Sequence, residues 1–564
     1  MKLNKITFRA GQSAGCPPLE IKPSTVILLV GPNNSGKSLA LREIESYCKG
    51  QNAPYGQPQS PKKVINDIEV LLPKNVDDAK KLLMVFTAKP PQNASPPEIA
   101  GPEDFWISAH TFDRSPTPGF RPNLIRIPEL NAAITNYERM KQILCPLYTV
   151  RLDGQTRFSL IEPTEAGNLA DPPHNHLWAL DRDEEKRKRV SDLTKEAFGL
   201  HFLVDPTDSK ILKIRLSIKC PEPDEEGRST KAVAFYNSVP VISEFGDGVK
   251  AFTGLVCALL SLPHKIILID EPEAFLHPPL ANLLGQRLSN IAAERDASLI
   301  VSTHSSEFLI GCVNSGVAVS VVRLTYEKKS ATARNLDPHA IRTIMRDPLM
   351  RSADVLRAFF SRAALVAESD SDRAFYEEIN RRLLDEGRGI KDSLFLNAQN
   401  VGTLCKIVGP LRKIGVPAAA IPDLDFLTNN DGDWENMLDA CEIPKKEWLR
   451  IQTERKAISK TGKNLKENGL DILEATEKTK IEHLLTELES YGLFIVPVGQ
   501  LECWLKGIGA KNEHGSKWLI DLFPKIGSSK EDANYLRPTC DDVWLFIDKI
   551  GKWIDSKMAT PDPK

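Results

Sequence analysis

The sequence predicts an α/β protein with two functional modules, each a largely parallel sheet whose strand ends carry the chemistry. Three observations point there. The apolar strand 25–30 runs into the glycine loop GPNNSGKS at 31–38 and then into the helix-forming stretch LALREIESY. A second apolar strand, Ile266-Ile267-Leu268-Ile269, ends in Asp270-Glu271-Pro272. Three further apolar segments, all in the C-terminal part, each run into acids: Glu368, then Asp423 and Asp425, then Glu502.

Bulk properties set the frame. At 564 residues the chain exceeds one ordinary core, so two or three domains are expected. A formal charge of -2 excludes a generally basic nucleic-acid coat and leaves partners to be read from local patches. Ten cysteines run from Cys16 to Cys540 without a CxxC pair, which fits reduced thiols better than disulfides or structural zinc. No apolar stretch approaches the roughly 18 residues of a membrane span, and Met1-Lys2-Leu3-Asn4-Lys5 leads into no signal-peptide core. The expectation is a cytoplasmic protein with no membrane partner. The proline-rich segments 54–63 and 88–104 are expected as surface loops rather than interdomain linkers.

Strand, glycine loop and helix in succession make 31–38 a P-loop. Gly31, Asn33, Asn34, Ser35 and Gly36 are expected to turn backbone amides toward phosphate, Lys37 to neutralise the terminal phosphates, and the Ser38 hydroxyl to reach magnesium. In the second strand, Asp270 is expected in the shell of that ion and Glu271 as the residue that polarises the hydrolytic water, a Walker B pattern. The run Leu299-Ile300-Val301-Ser302-Thr303 then leads to His304, placed to sense the γ-phosphate. Taken alone, such a histidine is more often a satisfied structural residue. Between the phosphate motifs, ISEFGDGVKAF at 242–252 sets Ser243, Gly246 and Gly248 at a helix start.

The order P-loop, glycine-rich signature, Walker B, histidine resembles the ABC-type ATPases of the group that includes chromosome-maintenance and DNA-repair ATPases. In that family the signature of one subunit completes the nucleotide site of another, which implies ATP as cofactor and a homodimer or higher homo-oligomer. SEFGDG departs from the LSGGQ form of transporters. The resemblance covers about 1–345, with insertions over roughly 50–230 that leave room for a dimerisation element. Within them, Arg151 and the charged stretch RDEEKRKRVSDLTKEAF are candidates for a partner contact, and a solvated helix face accounts for the charge run more simply.

In VAESDSDRAFYEEI, at 366–379, Glu368, Asp370 and Asp372 crowd behind a strand. Capping of the next helix by Ser369 or Asp370 explains such a cluster as well as a metal site does. The segment VPAAAIPDLDFL ends in Asp423-Leu424-Asp425, where extended alternation would turn both acids to one side. Glu502 follows the strand-like 493–498. This order resembles a Toprim domain, with Ser369 where many members have glycine. An ABC-type ATPase followed by a Toprim domain, here about 355–564 with a basic helical insertion at about 428–490, resembles the OLD (overcoming lysogenization defect) family of nucleases, which includes the Gabija nuclease and retron-associated effectors.

That resemblance implies two magnesium or manganese ions on Glu368, Asp372, Asp423, Asp425 and Glu502, with Glu368, Asp423 and Asp425 catalytic, activating water and stabilising the leaving oxygen of a phosphodiester. It also implies a lysine late in the domain, for which Lys525 and Lys530 are candidates. The run 444–466 adds Lys445, Lys446, Arg450, Arg455, Lys456, Lys460, Lys463 and Lys466, with Trp448 as a base-stacking candidate. A DNA-attracting rim and a solvated lysine-rich helix explain it equally. The expectation is a nucleotide-regulated, metal-dependent DNA endonuclease, nicking or double-strand, in anti-phage defence, with a helicase-like protein or retron nucleic acid as companion. The alternative of another class is a nucleotide-switched DNA-binding clamp whose acidic site is inactive.

Overall fold

The computed structural model describes residues 1–13, 15–49, 62–88, 104–107, 123–167, 173, 175–327, 330–336, 341, 344–347, 353–459, 464–511 and 513–559. The loop expectations at 54–63 and 88–104 fall, but for their ends, outside these residues, as do Lys460 and Lys463. The chain forms two compact units. One comprises Met1–Ala10, Pro18–Val30 and Gly36–Val322, the other Gly11–Pro17, Gly31–Ser35 and Arg323–Lys564. The α/β class is borne out.

The first unit is organised by four parallel strands, β1 (Val26–Val30), β2 (Thr149–Leu152), β3 (Ile266–Asp270) and β4 (Ser298–Ser302), in the order β1–β4–β3–β2. All of β1 and β4 is buried. Strands covered on both faces need no polar alternation, which is why they read as unbroken apolar runs. Ile300 pairs with Ile27 on one side and Leu268 on the other, and Ser302 lies beside Asp270, so the strands end level with one another. Helix α1 (Lys37–Lys49) follows the glycine loop. The short helix α2 (Thr156–Ser159) follows β2, and α3 (Asp247–Ser261), α4 (Pro278–Glu294) and α5 (Ser306–Asn314) complete the frame.

β2 lies in the stretch expected as an insertion, yet it is a strand of this central sheet. Its Arg151 pairs with Glu45 at 2.6 Å and Asp153 at 3.0 Å rather than standing ready for another subunit. The charged stretch forms the helix Glu184–Phe198, capped by Asp183 and by the left-handed Gly199, with Val190 and Thr194 buried. Its Arg189 and Glu196 are paired with Glu294 and Arg287 of the same unit.

In the second unit β5 (Ala363–Ala367), β6 (Ser393–Asn397) and β7 (Ala418–Ile421) form a parallel sheet in the order β6–β5–β7. Beside β7, the expected strand near 493 forms one parallel bridge, Ala420 to Leu493, extended by the bonds Phe494 N to Ala420 O (2.8 Å) and Val496 N to Pro422 O (3.0 Å). Helices α6 (Asp370–Asp385) and α7 (Val401–Lys413) follow β5 and β6. From α7 the buried Arg412 donates to the carbonyls of Ala418, Cys441 and Tyr491, tying the insertion and the 492 segment to the sheet. The insertion is helical, with α8 (Asp431–Ala440), α9 (Lys445–Ser459) and α10 (Ala475–Ser490). Trp504, Trp518, Trp544 and Trp553 share one core with Phe375 and Tyr376 of α6.

Candidate functional site

The glycine loop has the backbone that phosphate binding requires. Gly31, Asn34 and Gly36 have φ of 136°, 61° and 93°, the positive-φ backbone from which a loop can turn successive amides toward one anion. Gly31 is obligatory, because a Cβ there would run into the carbonyl oxygen of Leu324. Lys37 is 5% exposed at the first position of α1, where amides and ammonium add their positive charge. The Ser38 hydroxyl donates to Asp270 at 2.9 Å, and the Ser302 hydroxyl donates to the same carboxylate oxygen. This donor set fits a magnesium nucleotide.

Glu271 has φ of 49°, and its N–H donates to the carbonyl of Ser302 at 2.9 Å. Its carboxylate lies 3.5 Å from His304 Nε2. Burial, then the charge of Lys37, lowers the His304 pKa to about 4, so the imidazole is neutral at physiological pH and the contact is no ion pair. What fixes the His304 backbone is Glu273, a residue outside the motifs expected from the sequence. One oxygen of the buried Glu273 carboxylate accepts the His304 N–H and the Thr303 hydroxyl, each at 2.8 Å. The signal was present as the third acid of DEPE, but its work is done through a backbone amide.

The signature residues divide. Gly246 caps α3 and Gly248 lies in its first turn, while Ser243 is exposed in the 3₁₀ turn Ile242–Glu244. A Cβ on Gly248 would stand 2.7 Å from the carbonyl oxygen of Phe275, a close approach that only glycine permits.

The acids of the second unit converge. Glu368 leaves the end of β5, and its Oε1 accepts the N–H of Asp423 at 2.9 Å, just past the end of β7. Ala367 pairs with Ile421, so this meeting follows from strand register. Asp423 and Asp425 do not alternate along a strand as expected. The chain turns into the 3₁₀ segment Leu424–Thr428, yet ligand atoms of Glu368, Asp423 and Asp425 still lie within 4.8 Å of one another. Burial first, and then mutual repulsion, raises the pKa of Glu368 to about 7 and of Asp423 to about 8. Such carboxylates want a cation, and the oxygen donors fit a hard divalent ion.

Asp372 and Glu502 stand beside this trio rather than in it. Asp372 closes a capping box with Ser369, so the helix-start reading is also right. Burial, and behind it the charge of Glu502, raises the Asp372 pKa. Glu502 accepts the N–H of Gly515 at 2.6 Å and lies 3.6 Å from His514.

The lysine at the acids is Lys466, whose Nζ is 3.0 Å from Asp425 and 3.4 Å from Asp423. Burial works against its charge, but the Asp425 bond and the neighbouring acids win and raise its pKa. Lys525 and Lys530 are engaged elsewhere, by Asp521 with the Gly509 carbonyl and by the Asp385 carbonyl. The basic rim is also largely consumed. Arg450 pairs with Glu447, Glu454 and Glu487, and Arg455 and Lys456 pair with Asp431. Trp448 donates to the Ile443 carbonyl. Lys445 and Lys446 remain exposed.

A family model described as "AAA domain, putative AbiEii toxin, Type IV TA system" matches residues 239–310, the stretch holding the signature, Asp270, Glu271 and His304. The "Old nuclease" of Escherichia phage P2 is 26% identical over 602 residues, covering 95% of this chain and 96% of that protein. Among solved structures, the Smc head bound to the C-winged helix domain of ScpA is 14% identical with a TM-score of 0.34, over 61% of this chain and all of that one. The SMC head domain from Thermotoga maritima is 15% identical with a TM-score of 0.30, over 60% of this chain. Among the described residues no helix is long and apolar enough to cross a membrane. Over 95% of its length the chain resembles an OLD nuclease, the likeness to which its motifs had pointed.

Proposed function

We propose that the chain is an ATPase and nuclease of the OLD type that cleaves DNA with divalent metal. The observation that carries the reading is the convergence of Glu368, Asp423 and Asp425, three acids from two adjacent strand ends, with ligand atoms within 4.8 Å. Glu368, Asp423 and Asp425 would hold one magnesium or manganese ion and Asp372 with Glu502 a second, and the bound ions supply Lewis acidity for phosphodiester hydrolysis. Lys466 supplies a fixed positive charge at the trio, suited to an incoming phosphate. The backbone bond from the Asp423 N–H holds the Glu368 carboxylate beside Asp423. The C-terminal unit is read as a Toprim domain on the same grounds.

In the other site the glycine loop and Lys37 hold the ATP phosphates, Ser38 and Asp270 hold the nucleotide's magnesium, and Glu271 orients water for hydrolysis. His304, neutral in the nucleotide-free protein, would offer one ring nitrogen for a hydrogen bond near the terminal phosphate. The exposed Ser243 and Gly246 suit a second copy of the chain, which makes the working form a homodimer or larger. A role in defence against phage follows the family resemblance. The test is cleavage of supercoiled and linear DNA by the purified protein with magnesium or manganese, with and without ATP. Cleavage that needs the metal supports the reading, and DNA binding without cleavage under every condition defeats it.

A further inference from the structure

Arg157 is 1% exposed at the second position of α2. Its Nη2 donates to the carbonyl oxygens of Asp270 at 2.6 Å and of Glu271 at 2.8 Å. Its Nε and Nη1 are buried without a hydrogen-bond partner among the described residues. A buried guanidinium that leaves two nitrogens unsatisfied is poorly placed as a stability element, since unpaired buried donors work against folding. What its hydrogen bonds do is hold one turn of backbone.

That turn is unusual. Glu271 has φ of 49°, a conformation that a residue with a Cβ rarely adopts unless its surroundings impose it. Here the N–H of Glu271 is held by the Ser302 carbonyl of β4, and its carbonyl by Arg157. With both ends of the residue fixed, the side chain is set 3.5 Å from His304. Helix α2 is in turn seated on the signature helix α3. A Cβ at Gly254 would stand 2.7 Å from the Arg157 carbonyl oxygen, so the two backbones meet where only glycine fits. Arg157 thus bridges the helix that begins with the signature and the turn that presents Glu271.

We propose that Arg157 is a positioning residue for ATP hydrolysis: it holds the Asp270–Glu271 turn in its left-handed form and so sets the carboxylate of Glu271. The inference rests on the reading of Glu271 as the hydrolytic carboxylate. Arg157 touches neither phosphate nor water in this scheme and acts only through Glu271.

The test is a double-mutant cycle on the full-length protein, with kcat and KM for ATP and the affinity for a fluorescent ATP analogue measured in each variant. Arg157→Met is expected to lower kcat by about tenfold or more while nucleotide affinity stays within about threefold, because ground-state binding does not use Glu271. Arg157→Lys, which keeps one donor and the charge, is expected to recover part of the loss. In the Glu271→Gln background, Arg157→Met is expected to change the residual rate by less than about twofold, since there is no longer a carboxylate to place. A loss that multiplies in that background, or a fall in affinity matching the fall in kcat, would overturn the proposal and make Arg157 a scaffold residue. If Arg157→Met does not fold, the same cycle runs with Arg157→Lys. Normal turnover by Glu271→Gln would instead remove the reading of Glu271, and the proposal with it, in a comparison that does not involve Arg157.

Discussion

The ammonium of Lys466 lies 3.0 Å from Asp425 and 3.4 Å from Asp423, so the acidic centre carries its own counter-charge. The segment on either side of Glu502 packs on the backbone at this lysine. Gly499, at φ of 115°, has no room for a Cβ beside the Lys466 carbonyl, and the thiol of Cys503 reaches the Glu467 carbonyl at 3.3 Å.

Lys466→Met is expected to slow DNA cleavage by about 10- to 100-fold, the usual cost of removing a group that tunes metal ligands, with ATP turnover unchanged. Single-turnover cleavage at saturating metal measures it, and an unaltered rate would make Lys466 only a structural counter-ion.

The raised pKa values of Glu368, about 7, and Asp423, about 8, set a pH dependence in the metal-free protein. Both groups bind their proton more tightly folded than unfolded. Their stabilisation is therefore present at low pH and is lost as pH rises from the unfolded values near 4 through 7 to 8. In chelator the melting temperature should fall across that window, and magnesium should restore it above pH 8, where the ligands are free. Thermal scans of the wild-type protein and of Asp423→Asn check this, the variant giving a flatter profile.

Glu271→Gln is expected to bind ATP normally and hydrolyse it at least about 100-fold more slowly, since an amide neither orients nor polarises water as a carboxylate does. Turnover at the wild-type rate would count against Glu271.

If the Ser243–Gly248 signature meets the glycine loop of a second chain, Ser243→Arg and Lys37→Ala are each inactive as ATPases but recover when mixed. In a mixed dimer both lesions fall in one composite site and leave the other whole, so about a quarter to a half of wild-type turnover should return, depending on subunit exchange. No recovery after confirmed exchange would mean that the signature acts within its own chain.

The parts legible in the sequence were those whose chemistry is local. The glycine loop announces itself because Gly31 and Gly36 are demanded by backbone geometry within a few residues. Glu368 and Asp423 were legible because parallel strands bring their ends together whatever lies between. Lys466 was read as one cation of a rim, since its reach to Asp425 depends on packing by Gly499 and Cys503, far along the chain. Three others of that rim, Arg450, Arg455 and Lys456, pair with Asp431, Glu447, Glu454 and Glu487. The strand Thr149–Leu152 was missed because four residues with an arginine among them carry no pattern of their own. Glu273 is not legible because its partners are a threonine hydroxyl and a backbone amide some thirty residues on, and an amide carries no side-chain signal.

The proposed function requires that Glu368, Asp423 and Asp425 form a metal centre that cuts DNA. The most direct measurement is plasmid cleavage by wild-type and Asp423→Ala protein in magnesium or manganese, with ATP-analogue binding recorded on the same samples. Metal-dependent cleavage by the wild type is expected, with a loss of at least about 100-fold in the variant and equal nucleotide binding by the two. Cleavage by a folded Asp423→Ala protein at the wild-type rate would contradict it.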